Sequence, residues 1–124
     1  MSYEKAVRTL RQFNGVVEQA TEEELAEAAA LGDRTGMFNC PHTGVALAVL
    51  IKLLKAGKID KAERVVVIST AHGLKFVEMK VNYHQRALDF PSRYANQPIE
   101  LPPRLDAVKA ALKQALSERN RFDV

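Results

Sequence analysis

Two short polar stretches carry the residue types that can do chemistry. The first, Ser69-Thr70-Ala71-His72-Gly73, places two hydroxyls and an imidazole directly after the apolar run Val65-Val66-Val67-Ile68. In an open α/β sheet, ligands gather just beyond the carboxyl ends of the strands, and Gly73 permits a close backbone turn there. Hydroxyls in that place either hold a ligand or simply cap the helix that follows, and the residues alone leave both open. The second stretch, Cys40-Pro41-His42-Thr43-Gly44, enters a helix whose first amides can hold an anion. A stiff loop, with Pro41 fixing φ and Thr43 as N-cap, accounts for the same residues and is the favoured reading.

Other chemistries fit less well. A thiol–imidazole pair of Cys40 and His72 needs hydrogen-bond reach, and no oxyanion motif accompanies it. Cys40, His42 and His72 lack the paired spacing of a structural zinc site, so no metal site is expected. His84 falls within a helix among polar residues and reads as a surface histidine. The chain has no Gly-x-Gly-x-x-Gly, and Ala56-Gly57-Lys58 is a helix stop rather than a phosphate loop.

The elements that must position these stretches follow from periodicity and caps. An amphipathic helix is expected over residues 2–13, broken by Asn14-Gly15, and a short β-prone run over 15–19. Thr21-Glu22-Glu23-Glu24 is a capping box that starts a helix running to about Asp33. A third helix runs from Thr43 or Gly44 to Ala56, apolar all round in its first half, with Gly57 as the residue after its end. The β-branched run at 64–68 reads as a central strand of a parallel sheet covered on both faces. A helix resumes near Leu74 and continues to about Arg86. Residues 88–103, with prolines at 91, 98, 102 and 103, read as a surface connection, and 106–117 as a last helix with Val108, Ala111, Leu112 and Leu116 as its packing stripe. Helices alternating with strands argue α/β. So apolar a strand needs neighbours on both sides, and this sequence supplies one at most, which implies part of a larger fold.

Composition narrows the classes. With 124 residues, 47% hydrophobic and 27% charged, the chain has the make-up of a globular domain. Its longest apolar run, at 45–51, is too short to cross a bilayer, and the first residues carry no secretory h-region and no Arg- and Ser-rich transit character. A single cysteine excludes an internal disulfide and suits a reducing compartment. The net charge of +3 comes from basic residues scattered among fifteen acids, without aromatic interleaving, so nucleic-acid binding is not expected.

Three segments together resemble the plant-type branch of the threonine synthases: Val16 through Leu25 (VVEQATEEEL), Thr35 through Leu47 (TGMFNCPHTGVAL) and Arg64 through Lys75 (RVVVISTAHGLK). Their order and spacing fit the C-terminal region of that family. The resemblance covers about residues 2–100; the tail beyond Leu101 is generic helix. It implies a fold type II pyridoxal-phosphate enzyme that converts O-phospho-L-homoserine and water to L-threonine and phosphate. Residues 1–100 would be the C-terminal part of its large α/β catalytic domain, with few parallel strands and covering helices, and 101–124 a C-terminal helix. Thr70 matches the hydroxyl that lies against the cofactor's pyridine nitrogen, and Ser69 stands beside it. His72, Gly73, Pro41 and Thr43 would support the same cleft.

The resemblance also says what this stretch lacks. The family's cofactor-bearing lysine and its Gly/Asn-rich phosphate loop lie upstream of the matched region, and Lys75 belongs to the start of the helix after the Ser-Thr-Ala-His-Gly motif. No catalytic residue is therefore expected here, and the chain alone should be inactive. It would act with its N-terminal half or as a homo-oligomer, with no nucleic-acid or membrane partner, in the cytoplasm or, in a plant, the plastid. The alternative is a non-catalytic remnant of the same fold that pairs with a separate N-terminal half.

Overall fold

The computed structural model of the chain describes residues 3–119. The capping box forms as its sequence requires. The Thr21 hydroxyl accepts from the Glu24 amide at 3.2 Å, and the Glu24 carboxylate accepts from the Thr21 amide at 2.9 Å. Together they satisfy two amides that the first helical turn leaves free. They start helix α2 (Glu22–Asp33), which follows α1 (Tyr3–Gln12). Helix α3 (Pro41–Lys55) comes next, with Gly57 at φ 65° after its last turn. A 3-10 turn (Gly73–Phe76) leads into α4 (Val77–His84), and α5 (Leu105–Arg119) closes the described chain.

The centre of the fold is the α2–α3 pair. Alanines at 26, 28, 29 and 30 on α2 are buried, and small side chains let the two backbones approach. At the closest point a Cβ added to Gly44 would run into the Leu25 carbonyl and lie 3.0 Å from the Ala29 Cβ. Leu25, Ala26 and Ala30 continue the core onto Tyr83 of α4, with Val45, Met79, Leu88, Phe90 and Tyr94 packed around them. Polar ties reinforce that joint. The Tyr83 hydroxyl donates to Glu27 at 2.8 Å and accepts from the Tyr94 amide at 3.2 Å, while the Arg93 amide donates to the same Glu27 oxygen.

Several expectations change. Residues 64–70 form no regular element and join no ladder, and neither does the β-prone run at 15–19. The one β contact among the described residues is an isolated antiparallel bridge between Asn39 and His72. The parallel sheet that made the α/β reading is thus not formed by the described residues, which are predominantly helical. The cause is a lack of partners: a β-branched run gains its stability from neighbouring strands, and here Val66 and Ile68 stand 89% and 75% exposed. Helix α3 begins at Pro41, two or three residues earlier than expected, because a proline suits the first helical position. Cys40, not Thr43, is therefore its N-cap residue. The run at 45–51, expected to be buried all round, is only half-buried apart from Ala48. The stripe of α5 finds no core: Val108, Leu112 and Leu116 are exposed.

Candidate functional site

The shift in the start of α3 turns Thr43 inward. At the third position of the helix its buried hydroxyl lies 3.3 Å from the Cys40 sulfur and 3.2 Å from the Ser69 hydroxyl. The Thr70 hydroxyl approaches the same sulfur at 3.6 Å. Four side chains from the two chemistry-bearing stretches thus meet in one cluster. It runs from the fully buried Cys40 and the buried Thr43 to Ser69 and Thr70 at the surface. Ser69 and Thr70 do not cap the following helix; that role falls to His72, whose Nδ1 accepts from the Leu74 amide at 3.2 Å.

The electrostatics of the cluster centre on the thiol. Burial alone would push the Cys40 thiol up, but bonds from the Thr43 hydroxyl and amide, then from the Thr70 hydroxyl and the Ala71 amide, outweigh it and bring the thiol down to about 6. The N-terminus of α3, where Cys40 sits, acts in the same direction. Its neighbours are otherwise neutral hydroxyls.

The remaining expected site residues divide. Gly73 is buried against residues 38 and 39: a Cβ there would lie 2.8 Å from both the Asn39 carbonyl oxygen and the Phe38 ring. Its amide donates to the Phe38 carbonyl at 2.8 Å, which ties the motif to the loop before α3. His72 packs its ring on Phe38 at 5.6 Å and makes no bond to Cys40, so the thiol–imidazole pair is absent. Pro41 is half-buried at the helix start, while His42 turns outward with its ring edge-on to Phe76. No group of metal-ligating side chains occurs among the described residues. His84 is not a free surface histidine: its Nδ1 accepts from the Asn96 amide at 3.0 Å, and burial lowers its pKa.

Residues that the sequence reading passed over lie behind the cluster. Asp33 and Lys80 form an ion pair with side chains 12% and 7% exposed, and the second Asp33 oxygen accepts from the Asn39 amide at 2.8 Å. The one signal in the sequence is an acid in the last turn of α2, where the helix dipole disfavours it and a partner is needed. Two larger clefts lie elsewhere. One of about 450 Å³ opens between α2 and α3 beside Glu24, Lys52 and Tyr94, and another of about 560 Å³ opens between α4 and α5. Neither is lined by a member of the cluster.

The chain is similar to threonine synthases over most of its length. It is 48% identical over 122 residues to Threonine synthase 2, chloroplastic, of Arabidopsis thaliana, covering 98% of this chain and 24% of that protein. With Threonine synthase of Methanocaldococcus jannaschii the identity is 32% over 111 residues, covering 89% of this chain and 25% of the relative. The Threonine synthase of a Bacillus species is 34% identical over 85 residues. This chain spans about a quarter of the length of these curated relatives. No family model matches it.

Proposed function

The chain belongs, as a segment, to the threonine synthase family, and we propose that residues 1–100 contribute one wall of a pyridoxal-phosphate site in such an enzyme. The complete enzyme converts O-phospho-L-homoserine and water to L-threonine and phosphate. The segment corresponds to its C-terminal part, residues 101–124 supply the last helix, and a plant source would put it in the plastid. The observation that carries the reading is the convergence of Ser69, Thr70, Thr43 and Cys40, two distant motifs of the family's pattern, into one hydrogen-bonded cluster.

The donor set suits the cofactor. Thr70 offers a hydroxyl that approaches the Cys40 sulfur at 3.6 Å, and no carboxylate or basic side chain hydrogen-bonds to it among the described residues. A neutral hydroxyl can meet a pyridine nitrogen without forcing its protonation, as an aspartate would. When bound, pyridoxal phosphate supplies an electron sink for charge that develops on the amino-acid carbon. The chain's own part is orientation. Thr70 presents its hydroxyl, Cys40 and Thr43 hold that hydroxyl and Ser69 in place from below, and Gly73 lets the motif lie flat against residues 38 and 39.

The chain alone holds no lysine in the cofactor-bearing context, so it should form no threonine. The test is to titrate the purified chain with pyridoxal phosphate, then to repeat the assay after adding the upstream portion of the same enzyme. Threonine formation only in the combined sample is expected. A saturable visible band from the chain alone, lost on changing one of its lysines, would overturn the reading. In the combined enzyme, Thr70→Val should lower threonine formation roughly ten-fold or more, the effect of losing one hydrogen bond at the reacting system.

A further inference from the structure

We propose that Asp33 is a positioning residue for the Cys40 cluster: its carboxylate, anchored by Lys80, fixes the Asn39 amide and so sets the register between residues 38–40 and the Ser69–Gly73 motif. Four observations carry this. One Asp33 oxygen is bound to the buried Lys80 ammonium and the other accepts from the Asn39 amide at 2.8 Å, one residue before the thiol. The Lys80 ammonium also lies 5.0 Å from the centre of the Phe38 ring. The Asn39 side chain is folded back, its Nδ2 donating to the Met37 carbonyl at 2.9 Å, and it fills the space over Gly32, where a Cβ would come within 2.8 Å of it. Finally, the Phe38 carbonyl and Asn39 are the two residues that hold Gly73 and His72. One carboxylate therefore fastens a three-residue segment that has Cys40 at its end and the Thr70 loop across from it.

A role in stability alone predicts something different. Replacing a buried ion pair by apolar side chains of similar size is often neutral, because the cost of desolvating both charges disappears with them. An apolar side chain cannot, however, accept from the Asn39 amide. If positioning is the function, what changes is the contact between the Thr70 hydroxyl and the Cys40 sulfur. No titratable side chain of the surrounding elements hydrogen-bonds the sulfur, neither the nearest in sequence (His42 on α3, His72 and Lys75 at the 3-10 turn, the Asp33–Lys80 pair) nor the glutamates of α2, Lys52 and Lys55 of α3, or Glu78, Tyr83 and His84 of α4. The inference stands on this geometry, whichever ligand the cluster serves.

Cys40 is the sole cysteine, so ultraviolet thiolate absorbance titrates it alone. The experiment compares the full chain with two double variants that both remove the ion pair, D33N/K80M, which keeps an acceptor for the Asn39 amide, and D33L/K80M, which does not. The expected midpoint is the same in the parent and in D33N/K80M and rises in D33L/K80M, where the Thr70 and Ala71 bonds to the sulfur are lost while those from Thr43 remain. Far-ultraviolet circular dichroism checks that each variant keeps its helices. Should D33L/K80M lose them, D33A/K80M replaces it, alanine being the residue type already buried along α2. Equal midpoints in the two folded double variants overturn the proposal, and they do so without bearing on whether pyridoxal phosphate binds.

Discussion

Cys40 shows how far a residue's chemistry is set by its neighbours. A thiol this deeply buried should resist ionisation, yet four hydrogen bonds lower it to about 6 against an ordinary value of 9.0. The sign of the resulting pH dependence follows directly. A depressed folded-state pKa means that the unfolded chain binds the extra proton between these values, so this contribution to stability is full above 9 and is lost as pH falls through about 6. Urea unfolding of the parent and of Cys40→Ser across this range should give a stability difference that climbs with pH, by no more than about 1.4 kcal/mol per pH unit. A flat difference would mean that the thiol is protonated in the folded state. Tyr83 behaves in the opposite sense: burial, with Glu27 beside it, pushes its hydroxyl up to about 12. Its share of stability is therefore complete below 10 and lost as pH rises through about 12. Tyr83→Phe should cost about 1–3 kcal/mol in thermal or urea unfolding, because Glu27 and the Tyr94 amide each lose a partner. At this scale the sequence was legible where a residue stands in a motif. Ser69 and Thr70 were readable as hydroxyls at the end of an apolar run; that they meet Thr43 and Cys40 was not. Asp33 and Lys80 were not, because their value depends on meeting across forty-seven positions of chain.

Among the elements, those specified by local chemistry appeared as read. The capping box at Thr21 and the stop at Gly57 are each decided within a few residues. Thr43 as N-cap was misread because Pro41 moves the helix start forward and hands that place to Cys40. The α2–α3 contact gives the sharpest test at this scale. Gly44→Ala puts a methyl group against the Leu25 carbonyl, which is backbone and cannot swing aside. The two helices must then separate, and the variant should lose about 2–3 kcal/mol, toward the upper end of overpacking effects. Unfolding that matches the parent within error would show that the helices are less closely packed than they stand here.

The whole molecule is where sequence and structure part. The β-branched run at 64–68 is a strong strand signal, yet its realisation depends on neighbours that this stretch does not contain, so it stays outside any sheet and largely exposed. Val66, Ile68, Leu112 and Leu116 all present apolar surface. An exposed β-branched run outside any sheet invites pairing with another chain. Sedimentation velocity of the isolated chain should accordingly show self-association that Val66→Lys reduces. A monomer at all concentrations, for parent and variant alike, would argue that this surface is covered within the chain. No described helix is long and apolar enough to cross a membrane.

The α2–α3 pair has one more consequence, which concerns time. Leu25 and Gly44 meet across only eighteen residues of intervening chain, so the loop they close carries a modest entropic penalty. Contacts this local are made early in folding, well before strands separated by long stretches of chain can align. The helical pair then offers a rigid shelf, with Cys40 and Thr43 already at its edge, onto which residues 69–73 settle. In a larger enzyme the helices would thus serve as a seed, and assembly of the sheet would be the slow step that completes the site.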